Sequence, residues 1–153
     1  MCGLSCHGKS RKILGRLIDV SERIKIADEL HRKGYSCAQA VAVACADFVD
    51  VPKEILFRAA EGFGGGMGTG DGVCGALTGG LLVAGLRNST GNLSNPKSKA
   101  STMKISKAML TSFRDKSGAI ICRELKGVDT GKMICSCPDC IKHGVEVVEA
   151  QFG

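Results

Sequence analysis

Residues 62–86 read GFGGGMGTGDGVCGALTGGLLVAGL. Two different patterns meet in that stretch. From Gly62 to Gly75 eight of fourteen residues are glycine, a density at which no regular element persists, so the segment reads as a loop whose backbone can approach another group closely. From Gly75 to Leu86 the chain turns apolar, with the small residues Ala76, Gly80 and Ala84 at intervals of four. That is the pattern of a buried helix shaped to let another helix pack closely against it. Cys74 stands at the junction, at the N-terminal end of that helix.

Toward the N-terminus, Ser21 to Lys33 carries Ile24, Ala27 and Leu30, joined by Ile26, at helical spacing, and Gly34 supplies a stop. Ser36-Cys37-Ala38-Gln39 has the form of a capping box and opens a second helix with Ala38, Val41, Ala42, Cys45 and Phe48 on one face. Pro52 suits the first position of a third helix ending near Ala60.

Toward the C-terminus, residues 87–95 form a polar loop. Pro96 is read as opening a long helix whose buried side is Met103, Ser106, Met109, Leu110 and Phe113, closed by Gly118. Ala119 to Leu125 is a short apolar segment containing Cys122. Pro138 suits the first turn of a terminal helix with Ile141, Val145, Val148 and Phe152 inward and Cys137 as its N-cap. No run alternates long enough for a strand. The expected fold is all-α: a compact single-domain bundle of five to seven helices with a glycine-rich loop. Residues 1–20 are read as a basic N-terminal segment, flexible or helical, ahead of a four-cysteine redox domain over 21–153.

A chain of 153 residues is large enough to fold without covalent staples, so its nine cysteines call for another explanation. The N-terminus shows no apolar core or cleavage site of a secretory signal, which sets the expectation of a cytoplasmic location and of cysteines used as metal ligands or redox groups rather than bridges. The longest apolar run falls short of the roughly 20 residues of a membrane span. The net charge of +6 suggests nucleic-acid binding, but one Tyr, five Phe and no Trp provide few stacking platforms. Basic residues also offset the negative charge of a thiolate-bound centre.

The cysteines separate by position. Cys37, Cys74 and Cys137 fall at helix N-termini, where unpaired amides favour the thiolate that binds metals and attacks disulfides. Cys122 sits beside a glycine-bounded turn. Cys45 lies on an apolar face and reads as a small buried hydrophobe. Cys135, Cys137 and Cys140 form C-x-C-x-x-C, a metal-binding spacing that does not say which of the three is a ligand.

Cys2, Cys6 and His7 give C-x-x-x-C-H, one residue longer than a haem attachment motif, and the absence of an export signal argues against haem. Gly70-x-Gly72-x-x-Gly75 matches a dinucleotide fingerprint only superficially, since no strand precedes it. His31, near a helix end, and His143, on the terminal helix, have structural readings, and Arg123 and Glu124 read as surface ion-pair formers.

Cys74-Gly75-Ala76-Leu77-Thr78-Gly79 resembles the signature of a redox-active family named for a C-G-A-x-x-G motif and four cysteines. Tyr35-Ser36-Cys37-Ala38-Gln39-Ala40-Val41, Gly62 to Gly68, Cys122-Arg123-Glu124-Leu125-Lys126-Gly127 and the Cys-Pro-Asp segment at Cys137 resemble its other motifs, in order, over about residues 21 to 150. The family is also similar to the C-terminal domain of split-Soret cytochromes. The resemblance implies an iron-sulfur cluster of the 2Fe-2S type, with Cys37, Cys74, Cys122 and Cys137 as cofactor ligands. Cys135 and Cys140 depart from the pattern and leave the fourth position open.

Three functions compete: an electron-transfer or redox-sensing protein with an unidentified redox partner protein, a metal-free thiol-disulfide oxidoreductase, and a structural zinc module. Four thiolates suit zinc and iron-sulfur centres alike. The small-residue helix belongs in the core, or else pairs two copies in a homodimer.

Overall fold

A computed structural model describes residues 18–153. The basic segment, with Cys2, Cys6 and His7, lies outside the described residues apart from its last three positions. Seven right-handed helices follow: α1 (Val20–Arg32), α2 (Cys37–Ala44), α3 (Lys53–Ala60), α4 (Gly75–Asn88), α5 (Lys99–Ser117), α6 (Cys122–Lys126) and α7 (Cys137–Phe152). Gly64–Met67 also coils through one turn, but Gly65 and Gly66, at φ 61° and 64°, wind it left-handed. Among the described residues the fold is all-α, with an isolated antiparallel bridge between Val73 and Ile121.

The bundle is built around α2. All its residues from Ala38 to Ala44 are buried, as a helix apolar on every side must be, and α1, α3, α4 and α7 pack around it. Its start is fixed by the expected capping box: Gln39 N–H donates to Ser36 Oγ at 3.3 Å, and Ser36 N–H donates to Gln39 Oε1 at 3.0 Å.

The small residues of α4 lie in the core. Gly79 faces the α2 backbone, where a Cβ would sit 2.9 Å from Ala38 Cα, and Gly80 faces Val148 of α7. Gly79, Gly80 and Ala84 are buried within the chain, whereas nothing lies within 4 Å of a Cβ built at Gly85. Ile141, Val145 and Val148 are the buried face of α7.

Helix α1 departs from its periodicity. Its most deeply placed large side chain is Arg23, 2% exposed, rather than Ile24 or Leu30. Burial of a cation is tolerated because Arg23 meets Asp47, Glu149 at 3.0 Å and the Ala44 carbonyl at 3.0 Å, which ends α2 without an intrahelical partner. Its guanidinium also lies 4.4 Å from the Phe48 ring centroid.

Other boundaries differ by a few residues. Pro52 caps α3 from outside, and α5 begins at Lys99, after Pro96. Met103 is exposed, because the buried stripe of α5 is Met109, Phe113 and Ser117. Ser136, not Cys137, is the N-cap of α7, since its hydroxyl accepts from Asp139 N–H at 3.2 Å, leaving Cys137 as the first helical residue.

Candidate functional site: a cavity lined by six cysteines

Of the seven described cysteines, six line one small cavity of about 20 Å³: Cys37, Cys74, Cys122, Cys135, Cys137 and Cys140, together with Gly65, Gly75, Leu125 and Lys126. All are free thiols. Cys45 is apart from them, fully buried at the end of α2. Burial pushes its thiol up to about 12, so it is a neutral packing group.

Helix starts deliver most of the sulfurs. Cys37 and Cys137 are the first residues of α2 and α7, and Cys74 caps α4. Cys122, expected only beside a turn, also opens a helix, α6. Backbone pairing registers Cys122 against Cys74: Cys74 N–H donates to Ile120 O at 2.7 Å and Cys122 N–H to Gly72 O at 3.0 Å.

The left-handed turn closes over this pair. Gly66, at φ +64°, comes so near that a Cβ would lie 2.6 Å from the Cβ of Cys122, so a side chain there would have to displace the site. Gly66 and Gly75 thus allow close backbone approach to Cys122 and Cys37, without the strand a dinucleotide fingerprint requires. Arg123 fastens the outside, donating to Asp129 at 2.9 and 2.8 Å and to Asp71 of the glycine loop. Glu124, next to it, is exposed.

Cys135 is carried in by its own segment. The amides of Ile134 and Cys135 both donate to the Leu125 carbonyl, at 2.8 and 3.1 Å. Its sulfur is 3.9 Å from His143 Nδ1, which also meets Ser117 Oγ at 2.8 Å. Sequence spacing gave no warning of that approach: the two residues are eight positions apart across a helix start. Burial lowers the basicity of His143.

The thiols interact unequally. The neighbouring Cys37 thiol holds the Cys137 thiol down to about 6 against the effect of burial, with Lys126 and His31 adding positive potential. Cys37 itself is pushed upward by Cys137 and by burial. The neighbouring Cys140 thiol lowers the Cys74 thiol, and the amides of Ala76 and Leu77 act the same way against the opposing effect of burial. Cys140 is raised in return. Cys122 is raised by burial.

A thiolate is therefore favoured at two positions, each beside a thiol that can donate to it. Among the described residues no three Cys, His, Asp or Glu side chains stand ready around the position of a single metal ion. No helix there is long and apolar enough to cross a membrane.

Comparison with curated proteins gives no match, and comparison with solved structures gives none either. A protein-family model does match, over residues 35–151, a span that contains all six cavity cysteines. The motif in the family's description orders the central residues Gly-Cys-Ala, whereas this chain reads Cys74-Gly75-Ala76. With most of its length matched, the chain belongs to the family described as "Putative redox-active protein (C_GCAxxG_C_C)".

Proposed function

We propose that the cavity is a redox centre holding an iron-sulfur cluster through four thiolates, used in electron transfer or redox sensing. The observation carrying this reading is the convergence on one cavity of six cysteines drawn from positions 37 to 140. Cys37, Cys74 and Cys122 supply three ligands, each from a different helix start, and Cys137 supplies the fourth, since it faces Cys37 and already favours its thiolate.

The fit is one of donor chemistry. Soft thiolates are the ligands such clusters take, and Lys126, which lines the cavity, counters their charge. A space of about 20 Å³ is near that of one water, so a larger group displaces the sulfurs outward from their mutual contacts. Such a cluster supplies one-electron chemistry at a potential set by its burial and by hydrogen bonds to its sulfurs. Here the Ala76 and Leu77 amides would be the donors at Cys74. Leu125 and Gly65 of the glycine turn line the same cavity.

The test is anaerobic purification followed by visible absorption and by assay of iron, acid-labile sulfide and zinc. Iron and sulfide in equal amounts, with visible charge-transfer bands, support the reading. Stoichiometric zinc moves the protein to the structural-zinc class, and a colourless, metal-free protein with six reactive cavity thiols to the dithiol class.

A further inference from the structure

The net charge is not spread over the chain. From Gly72 to Arg114 there is no aspartate or glutamate, while the same segment carries Arg87, Lys97, Lys99, Lys104, Lys107 and Arg114. Those six account for the whole excess of +6, because the other fifteen of the twenty-one lysines and arginines are matched by fifteen acids. All six are exposed, and among the described residues none forms an ion pair.

The same segment displays apolar surface. The later turns of α4, the loop after it and the start of α5 enclose a groove of about 700 Å³, whose walls include Leu82, Gly85, Leu86, Pro96, Lys99 and Met103. Leu86 is 42% exposed and Met103 62%. On α5, Lys99, Met103 and Lys107 follow one another at intervals of four, so the apolar edge of the groove and its cations share one helix face. Leu93, in the loop, is 96% exposed. Its backbone is nonetheless fixed: Asn92 Oδ1 accepts from the amides of Ser94 and Asn95 at 3.1 and 3.0 Å, and Ser98 Oγ accepts from Thr90 N–H at 3.1 Å. The turn holds this leucine out in water.

We propose that this face docks on an anionic lipid membrane, with Leu93, Leu86 and Met103 entering the boundary between headgroups and acyl chains and the lysines meeting lipid phosphates. Peripheral binding of this kind combines apolar insertion with attraction to anionic lipid, and a segment with exposed aliphatic side chains, six cations and no acid supplies both. A second copy of the chain would set six cations against six. Nucleic acid would find the charge but no aromatic ring between residues 64 and 112 on which to stack a base. Gly85 lies eleven residues beyond Cys74, which places the groove about 16 Å along α4 from the cysteine cavity. The surface is thus separate from the cavity, whichever cofactor the cavity takes.

The experiment is co-sedimentation of the full-length protein with vesicles of phosphatidylcholine alone and with vesicles in which a quarter of the lipid is phosphatidylglycerol. Binding is expected to the anionic vesicles only, and it should weaken as salt is raised. Lys99→Gln combined with Lys107→Gln should weaken it about twentyfold, from roughly fivefold for each cation removed near the surface. Leu93→Ser should weaken it about tenfold or more, since an inserted aliphatic side chain is lost. Iron and sulfide content should be the same in all three proteins, so the result is read apart from the cavity.

Absence of binding to anionic vesicles, or equal binding to neutral ones, overturns the proposal. Undiminished binding of the lysine variant also overturns it, because another basic region, such as Lys9 to Arg16, is then the contact. Undiminished binding of Leu93→Ser overturns it as well, since charge alone then suffices, and so does tighter binding to single-stranded DNA than to the anionic vesicles at the same salt. Should the lysine variant lose its helical circular dichroism spectrum, Leu93→Ser decides alone.

Discussion

Gly79 and Gly85 lie on the same helix, α4, and the same substitution at each should move stability in opposite directions. At Gly79 an added Cβ falls 2.9 Å from Ala38 Cα, 3.0 Å from Ala38 C and closer still to its carbonyl oxygen. All three are backbone atoms of α2, which cannot rotate aside as a flexible side chain would. Overpacking of this kind costs about 3 kcal/mol, at the upper end of its usual range. The gain from replacing a helical glycine by alanine is about 1 kcal/mol, so Gly79→Ala should lose about 2 kcal/mol net.

At Gly85 nothing lies within 4 Å of the added atom. There the propensity gain acts alone, and Gly85→Ala should stabilise by about 0.5–1 kcal/mol. For a chain of this size 1 kcal/mol corresponds to about 2–4 °C in Tm. Thermal and urea unfolding followed by far-ultraviolet circular dichroism should therefore place the two variants on opposite sides of the unmodified protein, with Gly79→Ala lower by about 4–8 °C. Because Gly79 sets the distance between the helices that start at Cys37 and Cys74, the same variant should also bind less iron. Equal stability of the two variants would refute the close packing of α2 on α4.

Two further predictions concern the thiols. Serine at Cys37, Cys74, Cys122 or Cys137 should abolish or alter the proposed cluster, because an oxygen donor poorly replaces a soft thiolate. Cys45→Ala should keep full iron and lose about 1 kcal/mol of stability, as read by an iron assay and urea titration of each variant. In iron-free protein, Cys137 is held down to about 6, below the ordinary thiol value that it regains on unfolding. Between those values the unfolded chain binds more protons, so stability should rise with pH from about 6 toward 9 and be lost as pH falls back through 6. The lowered Cys74 thiol acts in the same direction, whereas the raised Cys37 opposes further gain above the ordinary value. Urea midpoints measured across that range check the slope, which Cys37→Ala should flatten by removing the donor.

Much of the fold is legible in the sequence because local chemistry and tertiary packing agree. The capping box at Ser36 and Gln39, the glycine stop after α1 and the small-residue spacing of α4 all ask for the structures they adopt. Periodicity fails where a polar group is compensated across the fold. Arg23 looks like a surface residue of an amphipathic helix, yet its partners Asp47 and Glu149 arrive from other elements, the latter 126 positions away. Met103 shows the converse: an apolar residue at helical spacing, left exposed because the buried stripe of α5 is Met109, Phe113 and Ser117.

The site obeys a harsher version of the same rule. Placement of cysteines at helix starts is a local property and is readable, and the separation of Cys45 from the rest follows from its position on an apolar face. What the spacing cannot state is how near the helix starts come to one another. That is decided at Gly75, Gly79 and Gly144, where the missing side chain matters only because Cys37, Ala38 and Ala76 stand opposite. It also explains why C-x-C-x-x-C could not be resolved into a ligand and two bystanders. Cys135, Cys137 and Cys140 occupy a bend, a first helical position and a first turn, and those three backbone directions bring all three sulfurs to the cavity. Their roles then differ by neighbour: Cys137 faces Cys37, Cys140 faces Cys74, and Cys135 faces His143. Each of those neighbours belongs to a different contact between elements, so chemical identity in this cavity is assigned by helix packing rather than by the motif that carries the sulfurs.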